Sequence, residues 1–193
     1  MIERLVVASK NPDKIVEVEE VLTALGLVHE IVRGLEWPDV PETEPTLIGN
    51  ALLKARAVAT ATGLPALADD TGLEVDALGG APGVTTARYA GPDATYDDNV
   101  DKLLAELDGL SDRTARFKTA VALVDPDGTE LVAEGVVEGR IAERRRGSGG
   151  FGYDPVFEVE GGRTFSEMGT AEKHEISHRA RALAALAEVL ARG

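Results

Sequence analysis

Short apolar runs alternate with helix-like stretches along most of this chain, and this alternation limits the folds it can form. The run Arg4–Ala8 predicts a buried strand. Asn11 and Pro12 then predict a helix start, because asparagine is a good N-cap and proline is favoured at the first helical position. Apolar residues recur at helical spacing as far as Gly26, which predicts the end of this helix.

The alternation continues along the rest of the chain. Further helices are predicted from Thr46 to about Thr62, over Tyr96–Leu107 and over Ser177–Arg192. Further strands are predicted at Val28–Val32, Ala66–Ala68, Leu73–Ala77, Arg116–Val124 and Thr129–Val137. Asp69–Gly72 is predicted as a turn, and the last two strands are predicted to form a hairpin. This order predicts an α/β fold with a mixed sheet, and the length predicts a single domain over residues 1–193.

The composition restricts the partners and the chemistry. The formal net charge is −14, and such a field repels a long polyanion, so no nucleic-acid partner is expected. The chain has no cysteine, which leaves hard cations with oxygen ligands as the expected metals. No apolar run resembles a signal peptide or a membrane span, so we expect a cytoplasmic protein with no membrane partner.

A candidate phosphate site lies at Ser9–Lys14, between the first strand and the first helix. The helix start favours an anion, and Lys10 and Lys14 add positive charge. A plain capped helix is an equally good interpretation, because the glycines of a P-loop are absent. Asn50 and Lys54 share one face of the second predicted helix. Lys54 is either a phosphate contact or, as its context alone favours, a surface residue whose stem covers the core.

Asp69 and Asp70 end an apolar run, immediately before Thr71 and Gly72. Successive strand residues point to opposite faces, so at most one of the two carboxylates can face a given cleft. A carboxylate at a strand end can bind Mg²⁺ or accept a proton from water. An Asx turn, in which the carboxylate bonds its own backbone, is the structural alternative. The residues alone leave both interpretations open.

The glycine-rich loop Gly147–Asp154 contains two aromatic residues, in a chain that is only 4% aromatic. Its Phe151 could stack on a nucleotide base. The densest cationic run of the chain, Arg144–Arg146, comes directly before it. We favour a binding function over a flexible linker, because linkers seldom carry Phe, Tyr and Pro so close together.

Ser177 is a plausible cap for the last helix, and it places His178 and Arg179 in the first turn. Cations there oppose the helix dipole, so these side chains are expected to meet an oxygen of a ligand or the carboxylate of Glu172 or Glu175. With the other features, this basic helix start suggests a nucleotide hydrolase without specifying its substrate.

Five blocks of the sequence also resemble the motifs of the inosine triphosphate pyrophosphatase family, and most closely its bacterial dITP/XTP pyrophosphatase branch. The resemblance spans nearly the whole chain, and five ordered blocks are far more specific than one short motif. The blocks are Ser9-x-Asn11-x-x-Lys14, Thr46-x-x-x-Asn50-Ala-x-x-Lys54-Ala, Ala68–Gly91, Gly149–Phe157 and Lys173-x-x-Ile-Ser-His-Arg179.

The resemblance implies an elongated mixed sheet with flanking helices, two lobes around a nucleotide-binding cleft, and a homodimer. The implied reaction is Mg²⁺-dependent hydrolysis of dITP, ITP or XTP to the nucleoside monophosphate and pyrophosphate, which cleanses the nucleotide pool. On matching positions, Asp70 and Lys54 resemble the catalytic residues, and Asp70 and Glu42 the metal ligands. The implied substrate contacts are Ser9, Lys10, Asn11, Pro12, Asp13, Lys14, Asn50, Thr71, Phe151, Gly152, Tyr153, Asp154, Lys173, His178 and Arg179.

Two stretches depart from the family pattern. Relatives commonly place two acidic residues ahead of the threonine that opens the second helix, whereas this chain has Pro41–Thr46, in which Glu42 is our choice of ligand. Thr85 and Thr86 stand where an aromatic residue and a serine are more usual. The alternative functions are a related pyrophosphatase for modified pyrimidines or canonical-sized dNTPs and a nucleotide-binding module without catalysis.

Overall fold

The computed structural model describes residues 1–192 as alternating strands and helices. The strands are β1 Ile2–Val7, β2 Val28–Ile31, β3 Ala66–Val75, β4 Pro82–Gly83, β5 Thr114–Val124, β6 Glu130–Ile141 and β7 Phe157–Glu158. The helices are α1 Pro12–Ala24, α2 Leu47–Thr62, α3 Tyr96–Glu106, α4 Thr170–Ile176 and α5 His178–Arg192. Within residues 1–192, none of these helices is both long enough and apolar enough to cross a membrane.

The sheet is mixed, as the sequence predicts. Its strand order is β2-β1-β3-β5-β6-β7, and β4 pairs with β3. Strand β1 is parallel to both β2 and β3, whereas β3 is antiparallel to β4 and β6 is antiparallel to β7. The α/β class is therefore confirmed. The elongated shape and the two lobes around a cleft stay predictions.

The described chain forms two compact units. The first consists of Met1–Asp70, Thr119–Gly135 and the residues from His178 onward, and the second of Thr71–Lys118 and Val136–Ser177. Strands β3, β5 and β6 contribute residues to both units. The single domain over residues 1–193 stays a prediction.

Two helices begin where the sequence predicts, and one of them also ends there. The Asn11 side chain caps α1 by accepting a hydrogen bond from the amide of Asp13 at 3.0 Å. Thr46 caps α2 by accepting one from the amide of Gly49 at 3.0 Å. Helix α2 ends at Thr62, and Gly63 follows as its C-cap, with a φ of 66° in the left-handed region that glycine adopts without strain.

Two features of the secondary structure differ from the prediction. The expected turn at Asp69–Gly72 is wrong, because β3 runs without interruption through these residues. Both carboxylates bond side chains of other elements, so the Asx turn that would interrupt the strand is not needed. Helix α4 was not predicted, because a helix of only seven residues carries little periodic signal.

The first unit covers both faces of its sheet with apolar side chains. Leu5 and Val7 belong to a buried cluster with residues of α1 and α5, whereas Val6 belongs to a second cluster with residues of α2. This division follows from the alternation of side chains along β1. The second unit has its own core around the rings of Phe117 and Phe157, whose centroids lie 4.6 Å apart.

We expect Gly135→Ala to destabilise the first unit. A Cβ atom at this position of β6 would overlap the backbone carbonyl oxygen of His178 and the backbone nitrogen of Ala182 in α5. Because backbone atoms cannot rotate away, the cost should be about 2 kcal/mol or more, as in other overpacked sites. Urea unfolding of both proteins measures it.

Gly169→Ala is the matched control, because nothing lies within 4 Å of its added Cβ atom and its φ is −72°. Its cost should be limited to a weakened helix cap, about 1 kcal/mol or less. Equal effects of the two substitutions would contradict the close approach of β6 and α5.

Candidate active site

Asp69 and Asp70 lie side by side in β3, and they bond different sets of residues. Only 4% of Asp69 and 5% of Asp70 are exposed, so both carboxylates need protein partners. Because neighbouring strand residues point to opposite faces, Asp69 meets groups from α1 and α5, whereas Asp70 meets groups from α2. The alternation that the sequence predicts for this pair therefore gives the two carboxylates different bonding partners.

Asp69 lies in a buried network of charges in the first unit. Its Oδ2 accepts hydrogen bonds from Nε and Nη2 of Arg179, both at 3.1 Å, and lies 3.3 Å from the ammonium of Lys14. Arg179 is 1% exposed, and its Nη1 also bonds the buried carboxylate of Glu17. Arg179 thus joins α1 and β3 to the start of α5.

The charges around Asp69 determine its ionisation. Burial alone would raise the pKa of this carboxyl, but the nearby charges of Lys14, Arg179 and Lys54 outweigh it and hold the pKa well below its usual range. Asp69 is therefore ionised throughout the neutral range and is a poor acceptor for a proton.

Asp70 contacts two residues of α2. Its Oδ2 accepts a hydrogen bond from Nδ2 of Asn50 at 3.2 Å, and its Oδ1 lies 3.3 Å from Nζ of Lys54. The same ammonium lies 2.7 Å from Oε1 of Glu42. Asn50 is itself oriented, because its Oδ1 accepts a hydrogen bond from the amide of Glu44 at 2.9 Å. The structure thus brings Asn50, Lys54 and Asp70 together and adds Glu42 from the preceding loop.

The ionisation of Asp70 is shifted in the opposite direction. Burial raises the pKa of its carboxyl, the negative charge of Glu42 raises it further, and the opposing effects of Lys54, Lys14 and Asn50 do not cancel the rise. The pKa of Lys54 is also raised, because the attraction of Asp70, Asp69 and Glu42 outweighs its burial. A pair of carboxyls with divergent pKa values is typical of a site where one accepts a proton and the other is structural.

The predicted phosphate residues Ser9–Lys14 form the loop before α1 and its first turn. Ser9 Oγ accepts a hydrogen bond from the amide of Asn11 at 3.2 Å, and Pro12 occupies the first helical position. Lys14 is directed at Asp69, whereas Lys10 bonds Asp39 in the loop after β2. Of the two lysines, Lys14 belongs to the carboxylate cluster.

His178 and Arg179 lie in the first turn of α5, as predicted, but the expected protein partners were wrong. Arg179 bonds Glu17 and Asp69, while Glu172 bonds Arg163. His178 is 4% exposed, and its Nδ1 lies 2.7 Å from Oγ1 of Thr119 in β5. The partners come from elements far away in the sequence, which the local pattern around α5 cannot reveal.

The second unit contains the glycine loop, whose Phe151 is predicted to stack on a base, and Lys173. Oδ2 of Asp154 accepts hydrogen bonds from the amide of Phe151 at 2.9 Å and from Nζ of Lys173 at 2.7 Å. The ammonium of Lys173 also lies 5.1 Å from the centroid of the Phe151 ring, a distance at which cations attract aromatic faces. A Cβ atom at Gly150 would overlap the Asp154 carboxylate, so glycine is needed for this compact loop.

Tyr153 fixes the same loop to a neighbouring turn of the second unit. Its hydroxyl donates to the backbone carbonyl of Thr86 at 3.0 Å. The hydroxyl of Thr86 in turn accepts from the amide of Leu73 in β3 and donates to the carbonyl of Gly83. Thr86, one of the two departures from the family pattern, thus has a structural role in this turn.

The second unit also contains Thr71, Gly152 and the arginine run, which were singled out in the sequence. Thr71 follows Asp70 in β3, and Gly152 is half-buried in the glycine loop. Arg145 bonds Asp97 and Asp101, and Arg146 bonds Glu158. These arginines have carboxylate partners outside the glycine loop.

Comparison with known proteins identifies the family. The model of the Ham1 family matches residues 5–189. This chain belongs to the Ham1 family. It is 48% identical to the dITP/XTP pyrophosphatase of Streptomyces avermitilis over 97% of this chain and 96% of that protein. It is 52% identical to the dITP/XTP pyrophosphatase of Porphyromonas gingivalis over 97% of both chains. The structure of a HAM1 protein from Coxiella burnetii matches with a TM-score of 0.85 and 42% identity over the full length of both chains.

The sequence did not lead us to predict Glu17 as a member of the buried network of charges around Asp69. It lies three residues after Lys14 in α1, a spacing that places both side chains on one face of a helix. Glu17 is 5% exposed and bonds Arg179. The spacing was a usable signal, but the partner from α5 was needed to distinguish Glu17 from the surface carboxylates of this acidic chain.

The carboxylates of this Ham1 chain are compatible with a hard cation. The cluster contains one more negative than positive group, counting Glu17, Glu42, Asp69 and Asp70 against Lys14, Lys54 and Arg179. Within residues 1–192, no group of three or more His, Asp or Glu side chains is arranged to hold a metal by itself. Glu42 and Asp70 therefore suit an ion such as Mg²⁺, which commonly takes one or two protein carboxylates and completes its coordination with phosphates and water.

Proposed function

We propose that this chain hydrolyses dITP, ITP and XTP to the nucleoside monophosphate and pyrophosphate. The observation that carries the proposal is the cluster of Glu42, Lys54, Asp69 and Asp70 beside the start of α1. The named relatives, which are about half identical over almost their whole length, support the same reaction.

The proposed position of the triphosphate follows from the cations around Asp70. Lys54 approaches Asp70 from α2, and Lys14 approaches the neighbouring Asp69 from α1. In the resting protein these ammonium groups are balanced by carboxylates. Phosphate oxygens would provide additional negative partners, and the negative charge that develops on them during hydrolysis would strengthen the attraction. We therefore assign Lys54 and Lys14 to the phosphate side of the substrate.

Magnesium is proposed as the cofactor, with Glu42 and Asp70 as its protein ligands. Both carboxylates approach the ammonium of Lys54, so this position already attracts positive charge. When bound, Mg²⁺ would withdraw charge from the phosphate oxygens.

Asp70 is the proposed acceptor of the proton from the attacking water. Its pKa is raised by burial and by Glu42, and a base is more effective as its pKa approaches the working pH. Asn50 and Lys54 hold both of its oxygens, so the carboxylate keeps a fixed orientation. Asp69 is unsuited to this role because its charge is already committed to Lys14 and Arg179.

Selection of the 6-oxo purine is proposed to involve Phe151, Lys173 and His178. A planar ring can cover the base, and N–H donors can bond O6 of inosine or xanthosine. Adenine carries an N–H donor at this edge, so protein N–H donors that face it could not form a hydrogen bond with it, and adenine would be rejected. Arg179 is fully committed to buried carboxylates, and these contacts support an indirect role in which it positions Asp69 and the start of α5.

The remaining proposals concern assembly and location. We propose a homodimer, which light scattering of the purified chain measures, and a cytoplasmic location, which fractionation of cells tests. Small nucleotides are the proposed partners.

Pyrophosphate release from dITP, XTP, GTP and ATP, each with and without Mg²⁺, tests the function. We expect rapid release from dITP and XTP with the metal and little from the standard nucleotides. Release from all four would indicate a general pyrophosphatase. Release from none, with nucleotide binding retained, would indicate a binding module instead.

A further inference from the structure

A contact between two aromatic rings joins the start of α3 to the glycine loop of the second unit. The ring centroids of Tyr96 and Phe151 lie 5.9 Å apart, and the ring planes are inclined by 37°, an arrangement within the range of favourable aromatic pairs. Tyr96 is the first residue of α3 and is 43% exposed, whereas Phe151 is half-buried. A tyrosine this exposed adds little to a core, so its contact with Phe151 is not a by-product of core packing.

The backbone of Tyr96 is held in place by the cap of α3. Oγ1 of Thr95 accepts a hydrogen bond from the amide of Asp98 at 3.2 Å, and the amide of Thr95 donates to the Asp98 carboxylate at 2.8 Å. These two bonds form a capping box, which fixes the first turn of a helix. Tyr96 lies within this turn, so its ring projects from a well-defined position.

Helix α3 is also attached to the turn that holds the glycine loop. Asn99 is 2% exposed, and its side chain accepts a hydrogen bond from the amide of Ala90 at 2.7 Å and donates to the carbonyl of Ala87 at 3.1 Å. The neighbouring carbonyl of Thr86 accepts the hydroxyl of Tyr153 at 3.0 Å. This turn therefore connects α3 to the loop on the C-terminal side of Phe151.

Arg145 connects α3 to the chain on the other side of the loop. Its Nη1 donates to Oδ1 of Asp101 at 2.7 Å, and its Nη2 donates to the carbonyl of Asp97 at 3.0 Å. Such exposed pairs contribute little stability, but they attach α3 to the chain directly before the glycine loop. The positions of Tyr96 and Phe151 relative to each other are therefore set by contacts other than the ring contact itself.

The orientation of the Phe151 ring depends on the side chains that pack against it. Its backbone amide is held by Oδ2 of Asp154 at 2.9 Å, but this bond leaves the side-chain rotamer undetermined. The ammonium of Lys173 lies 5.1 Å from the ring centroid and attracts the ring. Tyr96 adds a rigid neighbour, which restricts the rotamers that Phe151 can adopt.

We propose that Tyr96 is a positioning residue for purine binding, whose ring holds the ring of Phe151 in the orientation that covers the base. This inference rests on the proposed function, in which Phe151 covers the purine. Tyr96 acts through its ring and does not need its hydroxyl. Because the base is bound equally before and during hydrolysis, loss of this support weakens substrate binding and leaves the chemical step unchanged.

Steady-state pyrophosphate release from dITP with Mg²⁺ measures the effect of Tyr96→Ala. We expect KM to rise about threefold to tenfold and kcat to change by less than about twofold. Tyr96→Phe keeps the ring and should retain the wild-type KM. Leu110→Ala is the matched control and should also retain it, because it shortens an apolar side chain of the same unit that is 42% exposed. Thermal unfolding verifies that each variant is folded.

Inhibition by inorganic tripolyphosphate separates base binding from phosphate binding. This ion carries no base, and the proposed phosphate-side residues Lys14 and Lys54 belong to the first unit. Its inhibition constant should therefore be the same for wild type and Tyr96→Ala. A loss of affinity for tripolyphosphate as large as the rise in KM would show a general disturbance of the site, and it would overturn the inference.

The kinetic outcomes distinguish the inference from the proposed function. If the wild type releases pyrophosphate from dITP and Tyr96→Ala has the same KM, the inference alone is overturned. It is also overturned if Tyr96→Phe is as impaired as Tyr96→Ala, because the hydroxyl rather than the ring would then be needed. If the wild type releases no pyrophosphate from dITP, the proposed function is overturned, and the inference with it.

Discussion

Replacing Asp70 with asparagine should lower the turnover of dITP by about 10³-fold. The amide has nearly the same shape as the carboxylate, but it cannot accept the proton of the attacking water and is a weaker metal ligand. The substitution also creates a local conflict, since the new NH₂ group must face either Lys54 or the NH₂ of Asn50. Asn50 cannot rotate freely to relieve it, because its oxygen already accepts from Glu44.

The measurement is steady-state pyrophosphate release, accompanied by thermal unfolding. We expect a stability loss of about 1 kcal/mol, or a few degrees in Tm, which is far too small to explain the loss of turnover. Asp127→Asn is the matched control, because it makes the same change at an exposed position in the turn between β5 and β6. Wild-type turnover by Asp70→Asn would show that another group accepts the proton.

The local signals of the sequence were sufficient for the elements that support the site. The caps of α1 and α2 are determined by Asn11, Thr46 and Gly63, and each acts on residues next to it in the chain. The mixed sheet also followed from the order of apolar runs and helical stripes. Such features depend on backbone preferences within a few residues, so they are visible without the fold.

The contacts that define the site could not be predicted in the same way. Arg179 lies 110 residues from Asp69 and 162 from Glu17 along the chain, and nothing in the local pattern selects these partners. Strand β3 runs without a turn for the same reason, because its side-chain partners are distant in the sequence. Its carboxylates obtain side-chain partners from α1, α2 and α5, which replaces the turn that the local sequence favours.

Replacing Arg179 with methionine should destabilise the protein by about 3–5 kcal/mol. Methionine retains much of the apolar volume but leaves Glu17 and Asp69 without their shared cation, and Asp69 then depends on Lys14 alone among its closest cations. Urea unfolding with linear extrapolation measures this loss.

The size of this loss should depend on pH. The depressed pKa of Asp69 gives the wild-type protein a stabilising contribution above about pH 4, the value of an unfolded aspartate, and this contribution is lost as the pH falls below it. Without Arg179 the pKa of Asp69 should rise, so the folded variant takes up protons at a higher pH. The difference in stability between wild type and Arg179→Met should therefore shrink as the pH is lowered.

The exposed end of the same helix offers a matched control. Arg192 bonds Glu188, and their side chains are 77% and 71% exposed, so Arg192→Met should cost less than about 1 kcal/mol. Glu17→Gln in the Arg179→Met background tests the cause, because removal of one unpaired charge should restore part of the lost stability. If both arginine variants lost the same stability, or if the loss at Arg179 did not change with pH, the buried charges would not be its source. Arg179 would then act through the packing of its apolar stem, and Asp69 would owe its ionisation to Lys14 and Lys54.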